Sequence, residues 1–442
     1  MPSQGTIGDR VRGLRLSRRM SQAQLAGPDL SDSYVSLIES GKRTPTPAVA
    51  RLLAERLGCT TEFLLHGIEP RQRIDTELSL RHAELELHHG SPAVAADRFK
   101  AIMQASDGDN ATLATRAHVG FARALEAQGK IEQAVEEYER LRREAMEHPE
   151  RLSDLPLIVA LCRCYQRAGD RLRARDLGAE AQAKAERIGI VSGEVAIDLA
   201  LALVETGTGL PYVERVLDLT GVPEVRDRTA EVQALWRAST TAAEGDDSAL
   251  AVQLAEDALA VGRPARTALT SARIARELAQ IRVMDPNFDD LERAKELAEA
   301  ALRVFTGLSA DPRELGRSLA VLGWLRIRTG DTASAIELAQ RMLELSPATG
   351  GIIAATAHLV LAKAALARSD DATLALRRAH ELLDGDPEAH EREAAKTWRM
   401  LGDLYGQAGD RRSQATAYRK ALEAVGIHVT IPGVAGAAML AG

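Results

Sequence analysis

Few residues of this 442-residue chain stand in patterns that could do covalent chemistry. Cys162-Arg163-Cys164 is the one close pair of thiols. It lies in an apolar helical stretch with no second pair at metal-ligand spacing, which argues against zinc and for small core side chains. His88-His89 has no accompanying cysteine or carboxylate pattern and adjoins a turn, so it is expected at the surface. The stretch "GTGLPYVE" around Gly207 is rich in glycine but lacks the preceding strand and the lysine that a phosphate loop needs. Neither G-x-S-x-G nor H-E-x-x-H is present. Three cysteines in so long a chain make no disulfide scaffold. No catalytic residue, no metal site and no cofactor is therefore expected, and the protein is not expected to be an enzyme.

The polar chemistry that remains is gathered near the start, in "SQAQLAGPDLSDSYVSLIESGKRTPTP" from Ser21 to Pro47. Residues 1–73 carry eleven Lys/Arg against seven Asp/Glu, while the whole chain has a net charge of −7. A modestly basic head on an acidic body fits a small nucleic-acid-binding module whose body does not itself bind nucleic acid.

Short helices must position these groups. Aromatics are 3% and hydrophobics 45%, with Ala and Leu dominant and few β-branched runs, so the chain is expected to be all-α. Ile7, Val11, Leu14 and Leu16 give one apolar face to a first helix ending near Arg18-Arg19. Ser21 with Gln24 three places on has the reciprocal capping pattern of a second helix start, and Gly27-Pro28 stops it. Ser31 caps a third helix, closed by Gly41 where a left-handed residue is cheap. A fourth runs from Ala48 to Leu57 and a short fifth from Glu62 to Leu65.

Two short helices joined by a tight turn within about five resemble the helix-turn-helix of the Cro/C1-type (XRE) family. The resemblance spans Thr6 to Gly67. It is carried by Ser21, Gln22, Leu25 and Ala26, by Ser33, Tyr34, Val35, Ile38 and Glu39, and by Gly41-Lys42-Arg43, Pro45 and "LLAERLGCTTEFLLHG". It implies that the second helix enters the major groove of duplex DNA with its N-terminal residues at base edges. By motif those positions are Asp32, Ser33, Ser36 and Leu37. Asp32 would accept from cytosine N4, the serines could serve either role, and Leu37 would make apolar contact with a thymine methyl. The Gln, Arg or Asn that the family often carries there is missing, so the expectation is either a weak readout or one that relies on DNA shape. Gln22, Lys42 and Arg43 are the expected phosphate contacts, with Arg18 and Arg19 as further candidates.

After a joint at 68–75, the chain from 76 to 427 repeats one theme. Trp398, Leu401-Gly402, Tyr405, Gly409-Asp410, Tyr418 and Ala421 fit the tetratricopeptide pattern of paired helices, lacking only the alanine expected at Gln414. Weaker copies surround Gly129, Gly169-Asp170 and Gly330-Asp331, and degenerate ones Gly90, Gly245-Asp246 and Ser369-Asp370. About nine hairpins in a right-handed α-superhelix are expected, with small residues where helices cross. By analogy with such arrays, the first helix of each hairpin would bring Arg116, Arg123, Arg163, Gln166, Arg317, Trp324, Lys396 and Arg399 to an inner groove suited to an anionic ligand or a peptide carboxylate. The alternative is that these arginines pair with glutamates on adjacent helices.

A helix-turn-helix ahead of such repeats resembles, in architecture, the peptide-sensing Rgg/PlcR/PrgX-like regulators of Gram-positive bacteria. That implies a homodimer whose repeats bind a short peptide, small molecule or protein and reposition the heads on an operator. The asparagines that commonly clamp the peptide there have no counterpart, since this chain has only Asn110 and Asn287. The second reading is an interaction scaffold with a tethering or vestigial head. The apolar end, His428 to Gly442, is too short to span a membrane and is expected as a cap over the last hairpin, as a disordered end, or as an occupant of a groove. With no apolar run near eighteen residues and no charged-then-apolar leader, a cytoplasmic location is expected.

Overall fold

The computed structural model describes residues 6–66, 70–105, 111–149, 152–349, 351–385 and 392–425. Among them every regular element is a helix, as the composition requires. The apolar end from His428, and Asn110, lie outside the described residues.

The head comprises α1 (Ile7–Ser17), α2 (Gln22–Ala26), α3 (Asp32–Glu39), α4 (Pro47–Arg56) and α5 (Thr61–His66). Each start has its sequence reason. Ser21 accepts from the Gln24 amide at 3.1 Å while the Gln24 side chain accepts from the Ser21 amide at 2.8 Å, the reciprocal cap expected of α2. The Ser31 hydroxyl accepts from the Tyr34 amide, and Thr46 with Pro47 opens α4. Gly27 and Gly41 end α2 and α3 with positive φ. Val11, Leu25, Val35, Ile38, Leu53, Leu57 and Leu64 form the core between the helices.

The remaining helices belong to two compact units. Unit 1 holds residues 1–184 and 228–264. After the head it includes α6 (Pro70–His89), α7 (Pro92–Ala105), α8 (Ala111–Ala127), α9 (Ile131–Glu147), α10 (Asp154–Arg167) and most of α11 (Arg171–Ile188). It also takes α14 (Thr229–Glu244) and the first part of α15 (Ser248–Met284). Unit 2 holds residues 185–227 and 265–442. Its elements are α12 (Glu194–Thr206), α13 (Leu210–Thr220), the second part of α15, α16 (Leu291–Gly307), α17 (Pro312–Arg328), α18 (Thr332–Thr349), α19 (Gly351–Ala367), α20 (Thr373–Asp384), α21 (Arg392–Gln407) and α22 (Arg411–Ala424).

The stretch 68–75, expected as a joint, is helical from Pro70 onward. Its proline sits at the helix start, where a missing N–H costs nothing, rather than breaking a chain segment.

Within the units the hairpin logic holds. The turns carry Gly129, Gly169, Gly330 and Gly409 at φ +76 to +85. The aspartates that follow three of them, Asp170, Asp331 and Asp410, accept from amides of the next helix. At the degenerate turns the left-handed residue is Asp246 or Ser369 instead, and Gly245 is right-handed. Small residues mark the crossings. A Cβ on Gly120 would lie 2.4 Å from the Phe99 ring, and one on Gly402 2.6 Å from Tyr418. Cys162 and Cys164 are buried in α10, and burial pushes the Cys164 thiol up to about 12.

Candidate nucleic-acid interface

The head presents one face of α3 to solvent. Val35 and Ile38 are fully buried, which turns Asp32, Ser33, Ser36, Leu37 and Ser40 outward along the opposite stripe. Leu37 is 39% exposed. Asp32 lies in the first turn, where its charge suits the helix dipole. Gly41 reverses the chain, and the amides of Lys42 and Arg43 both donate to the Leu37 carbonyl at 3.0 and 3.2 Å. This places Lys42 and Arg43, both exposed, immediately beyond the end of α3. The Arg43 guanidinium stacks over the Tyr34 ring at 4.8 Å, which holds it near the exposed stripe.

What fixes α3 is a buried ion pair that sequence reasoning missed. Arg15 on α1 donates to Glu39 through Nε at 2.5 Å and Nη2 at 2.9 Å, and through Nη1 to the Met20 carbonyl at 2.8 Å. Burial works against a charged Glu39, yet the hydrogen bonds from Arg15 and Gln22 outweigh it and hold the carboxyl below its ordinary range. The available signal was an acidic residue on the buried side of α3, in line with Val35, since such a charge requires a partner. Gly8 supports the same joint, because a Cβ there would lie 2.2 Å from the Ile38 carbonyl.

Gln22 takes part in this frame. Its amide donates to Glu39 at 2.7 Å, so the side chain expected on a phosphate ties α2 to α3 in the free protein. Arg18 donates to the Gly58 carbonyl at 3.2 Å, and Arg56 covers the C-terminal carbonyls of α2 and pairs with Asp29. Arg19, the other further candidate, is exposed, as is Arg12, which the sequence reading did not single out.

The expected ligand-groove residues divide. In unit 1, Arg116 bonds Glu77 and Glu84, each at 3.3 Å, and Arg163 bonds Glu126 at 3.1 and 3.2 Å. Glu126 is buried, which opposes its charge, but Arg163, Arg167 and the Tyr138 hydroxyl keep it ionised. Gln166 is buried, its side-chain oxygen without a hydrogen-bond partner, and Arg123 is exposed. In unit 2, Arg317 makes a two-pronged pair with Glu393 at 2.8 and 2.5 Å, and Trp324 is half-buried against the clusters that hold Leu319 and Leu359. Lys396 and Arg399 are exposed. Arg116, Arg163 and Arg317 are thus engaged by carboxylates of neighbouring helices, the alternative that the sequence left open.

Among the described residues no helix is long and apolar enough to cross a membrane, and no group of acidic, His and Cys side chains could hold a metal ion. No curated protein matches the chain. Bacillus thuringiensis PlcR, solved in complex with the peptide PapR7 and DNA, aligns over 76% of this chain and 99% of its own at 13% identity, with a TM-score of 0.26. At that score the two chains do not superpose as wholes. Residues 11–64 match the helix-turn-helix family model designated HTH_3. The N-terminal bundle is therefore a helix-turn-helix domain of the XRE type, carried at the head of a body whose described elements are all helices.

Proposed function

We propose that the protein is a sequence-specific transcription regulator that binds operator DNA through α3. The observation that carries this reading is the outward stripe Asp32, Ser33, Ser36 and Leu37, with Lys42 and Arg43 at its end, on a helix locked by Arg15 and Glu39. The stripe offers hydrogen-bonding groups and one methyl-seeking side chain to base edges, and the two cations offer charge to phosphates. One head covers one half-site. Useful specificity needs two heads a helical turn or a multiple apart, so the working form is a homodimer.

On this reading the helical body joins the two heads and senses a peptide, small molecule or protein. Exposed Arg123, Lys396 and Arg399 remain as its candidate ligand contacts, because the other arginines are already paired. A ligand would shift the spacing of the heads only through its difference in affinity for two forms of the body.

Selection of bound fragments from a random duplex library by the full-length protein, at low and then physiological salt, tests the proposal. Enrichment of a two-fold-symmetric sequence is the expected result. Retention of every duplex equally, or of none at low salt, would sink it and leave the interaction scaffold.

A further inference from the structure

Leu161 and Tyr165, four positions apart, share one face of α10, while Arg163 and Gln166 lie on the opposite face. Arg163 and Gln166 are the residues expected at an inner groove. Over the other face stand α9 and α11, and there a cavity of about 520 Å³ opens within unit 1.

Side-chain choice explains why these helices do not close on α10. Leu161 is buried and forms the base of the cavity with half-buried Leu177 of α11 and the Tyr165 ring. Above them α9 and α11 carry Glu139, Arg142, Arg143, Arg173 and Asp176. Charged ends of this kind must reach water, so they cannot fill the space over a leucine. Met146 lines the cavity yet is 68% exposed.

Polar struts brace the walls at two places. Arg142 of α9 donates to Glu180 of α11 at 2.6 Å and to Asp154 of α10 at 3.1 Å, and Lys184 pairs with the same two carboxylates. The Tyr165 hydroxyl donates to Glu139, and the Arg173 guanidinium lies over the Tyr165 ring, 5.3 Å from its centre. Burial and Glu139 raise the pKa of Tyr165, which keeps it a neutral donor. A braced cavity of this size, apolar at its base with a few polar groups at its mouth, has the form of a small-molecule site.

These bonds take up most of the lining charge. Arg142 is held by Asp154 and Glu180, Arg173 by Asp170 and Tyr165, and Glu139 by Tyr165. Among the described residues Arg143 has no hydrogen-bond or ion-pair partner, and it is exposed one helical turn from Met146. Asp176 is likewise free, and with Glu139 it opposes an anion. Three guanidiniums nevertheless line the cavity against these two carboxylates.

We infer that the cavity binds a small amphiphile with one negative charge, an organic carboxylate carrying an apolar chain. The chain covers Leu161, Leu177 and Met146, and the head meets the open fork of Arg143, which matches a carboxylate in two-pronged geometry. Burial of the chain supplies affinity, and the head supplies selectivity. The site is separate from Arg123, Lys396 and Arg399, and it stands whether or not α3 reads an operator.

The test uses the full-length protein with carbon-13 methyl-labelled methionine, the Met146 signal being assigned by its loss in Met146→Leu. Sodium octanoate, octylammonium chloride and octanol are titrated separately, each below its micelle threshold and solubility limit. The three share one chain and differ in the head. A saturable shift of the Met146 methyl by octanoate is expected. Arg143→Gln should weaken that binding about fivefold and Asp176→Asn strengthen it about twofold, as exposed charge contacts do. Octylammonium should bind more weakly than octanoate by about fivefold or more. Octanol leaves water more readily than octanoate, so octanol binding as tightly or tighter would reveal a bare apolar patch and overturn the inference. A preference for octylammonium overturns it too, as does unchanged octanoate affinity in Arg143→Gln. No shift with any of the three removes the site altogether. Leu177→Trp, which fills the base, should abolish the shift, and the head series with Arg143→Gln decides the matter should that variant fail to fold.

Discussion

Arg15 and Glu39 stand twenty-four positions apart in sequence and meet as a two-pronged ion pair inside the head, 2.5 and 2.9 Å between donor and acceptor atoms. Each charge is costly to bury alone, and together they fix how α3 leans on α1. Glu39→Ala should therefore cost the head about 3–5 kcal/mol, since it strands a buried guanidinium. Replacing both residues by leucine should cost far less. Urea unfolding of the two variants, followed by circular dichroism, measures the difference.

The same pair makes stability depend on pH. Glu39 has its pKa lowered in the folded head, against burial, by Arg15 and Gln22. A carboxyl so depressed contributes stability that is fully present above its unfolded value of about 4.3 and is lost as pH falls through the folded value. Thermal melts between neutral pH and pH 3 should show a fall in melting temperature beginning below about pH 5, and the double leucine variant should show a smaller one.

On the proposed reading, Lys42 and Arg43 act on any duplex alike. Lys42→Ala and Arg43→Ala should each weaken binding to specific and random DNA by a similar factor and reduce the slope of log K against log salt by about 1. Fluorescence anisotropy at several salt concentrations reads both quantities. Because Arg43 also stacks on Tyr34, its loss should be the larger of the two.

Ser33 and Ser36 should behave differently. Ser33→Ala or Ser36→Ala should change preference at one base position by about 1–3 kcal/mol while leaving affinity for random DNA unchanged. Competition between single-substituted operators shows whether the loss is local to one position or uniform.

Packing of the repeats offers a test independent of DNA. Phe99 is fully buried and cannot withdraw from a Cβ at Gly120. Gly120→Ala should destabilise the protein by about 1–3 kcal/mol through overpacking. Gly129→Ala should be destabilising for another reason, a backbone at φ +76 that an L side chain rarely adopts. Denaturant midpoints of the two variants give the costs.

The parts of this structure governed by neighbouring residues were legible in the sequence. The Ser21–Gln24 cap, the Gly41 stop and the Gly-Asp turns are local and appear where expected. Pairings over long separations were not legible. Arg163 and Arg317 look available to a ligand until Glu126 and Glu393 are seen opposite them, 37 and 76 positions away. Gln22 looks like a phosphate ligand until Glu39 is placed beside it. Residues 228–264 have the texture of any other hairpin, and nothing in their own composition says that they pack on α6. The family match explains why the head was the more readable part, for its 54 matched positions carry a known pattern, whereas the body has Asp246 and Ser369 in the left-handed conformation at turns where the repeat pattern has glycine.

The outward stripe of α3 ends in short groups: two hydroxymethyls, one carboxymethyl and a leucine. If α3 reads bases as proposed, such stubby probes cannot stretch toward a distant base, so the rod that bears them must seat deeply, and a target resisting that approach is refused before any hydrogen bond forms. The same shortness leaves vacant space around each probe. A single longer graft, Ser36→Arg for example, could span it and fork onto a guanine, so that one codon change would retune the operator this head accepts.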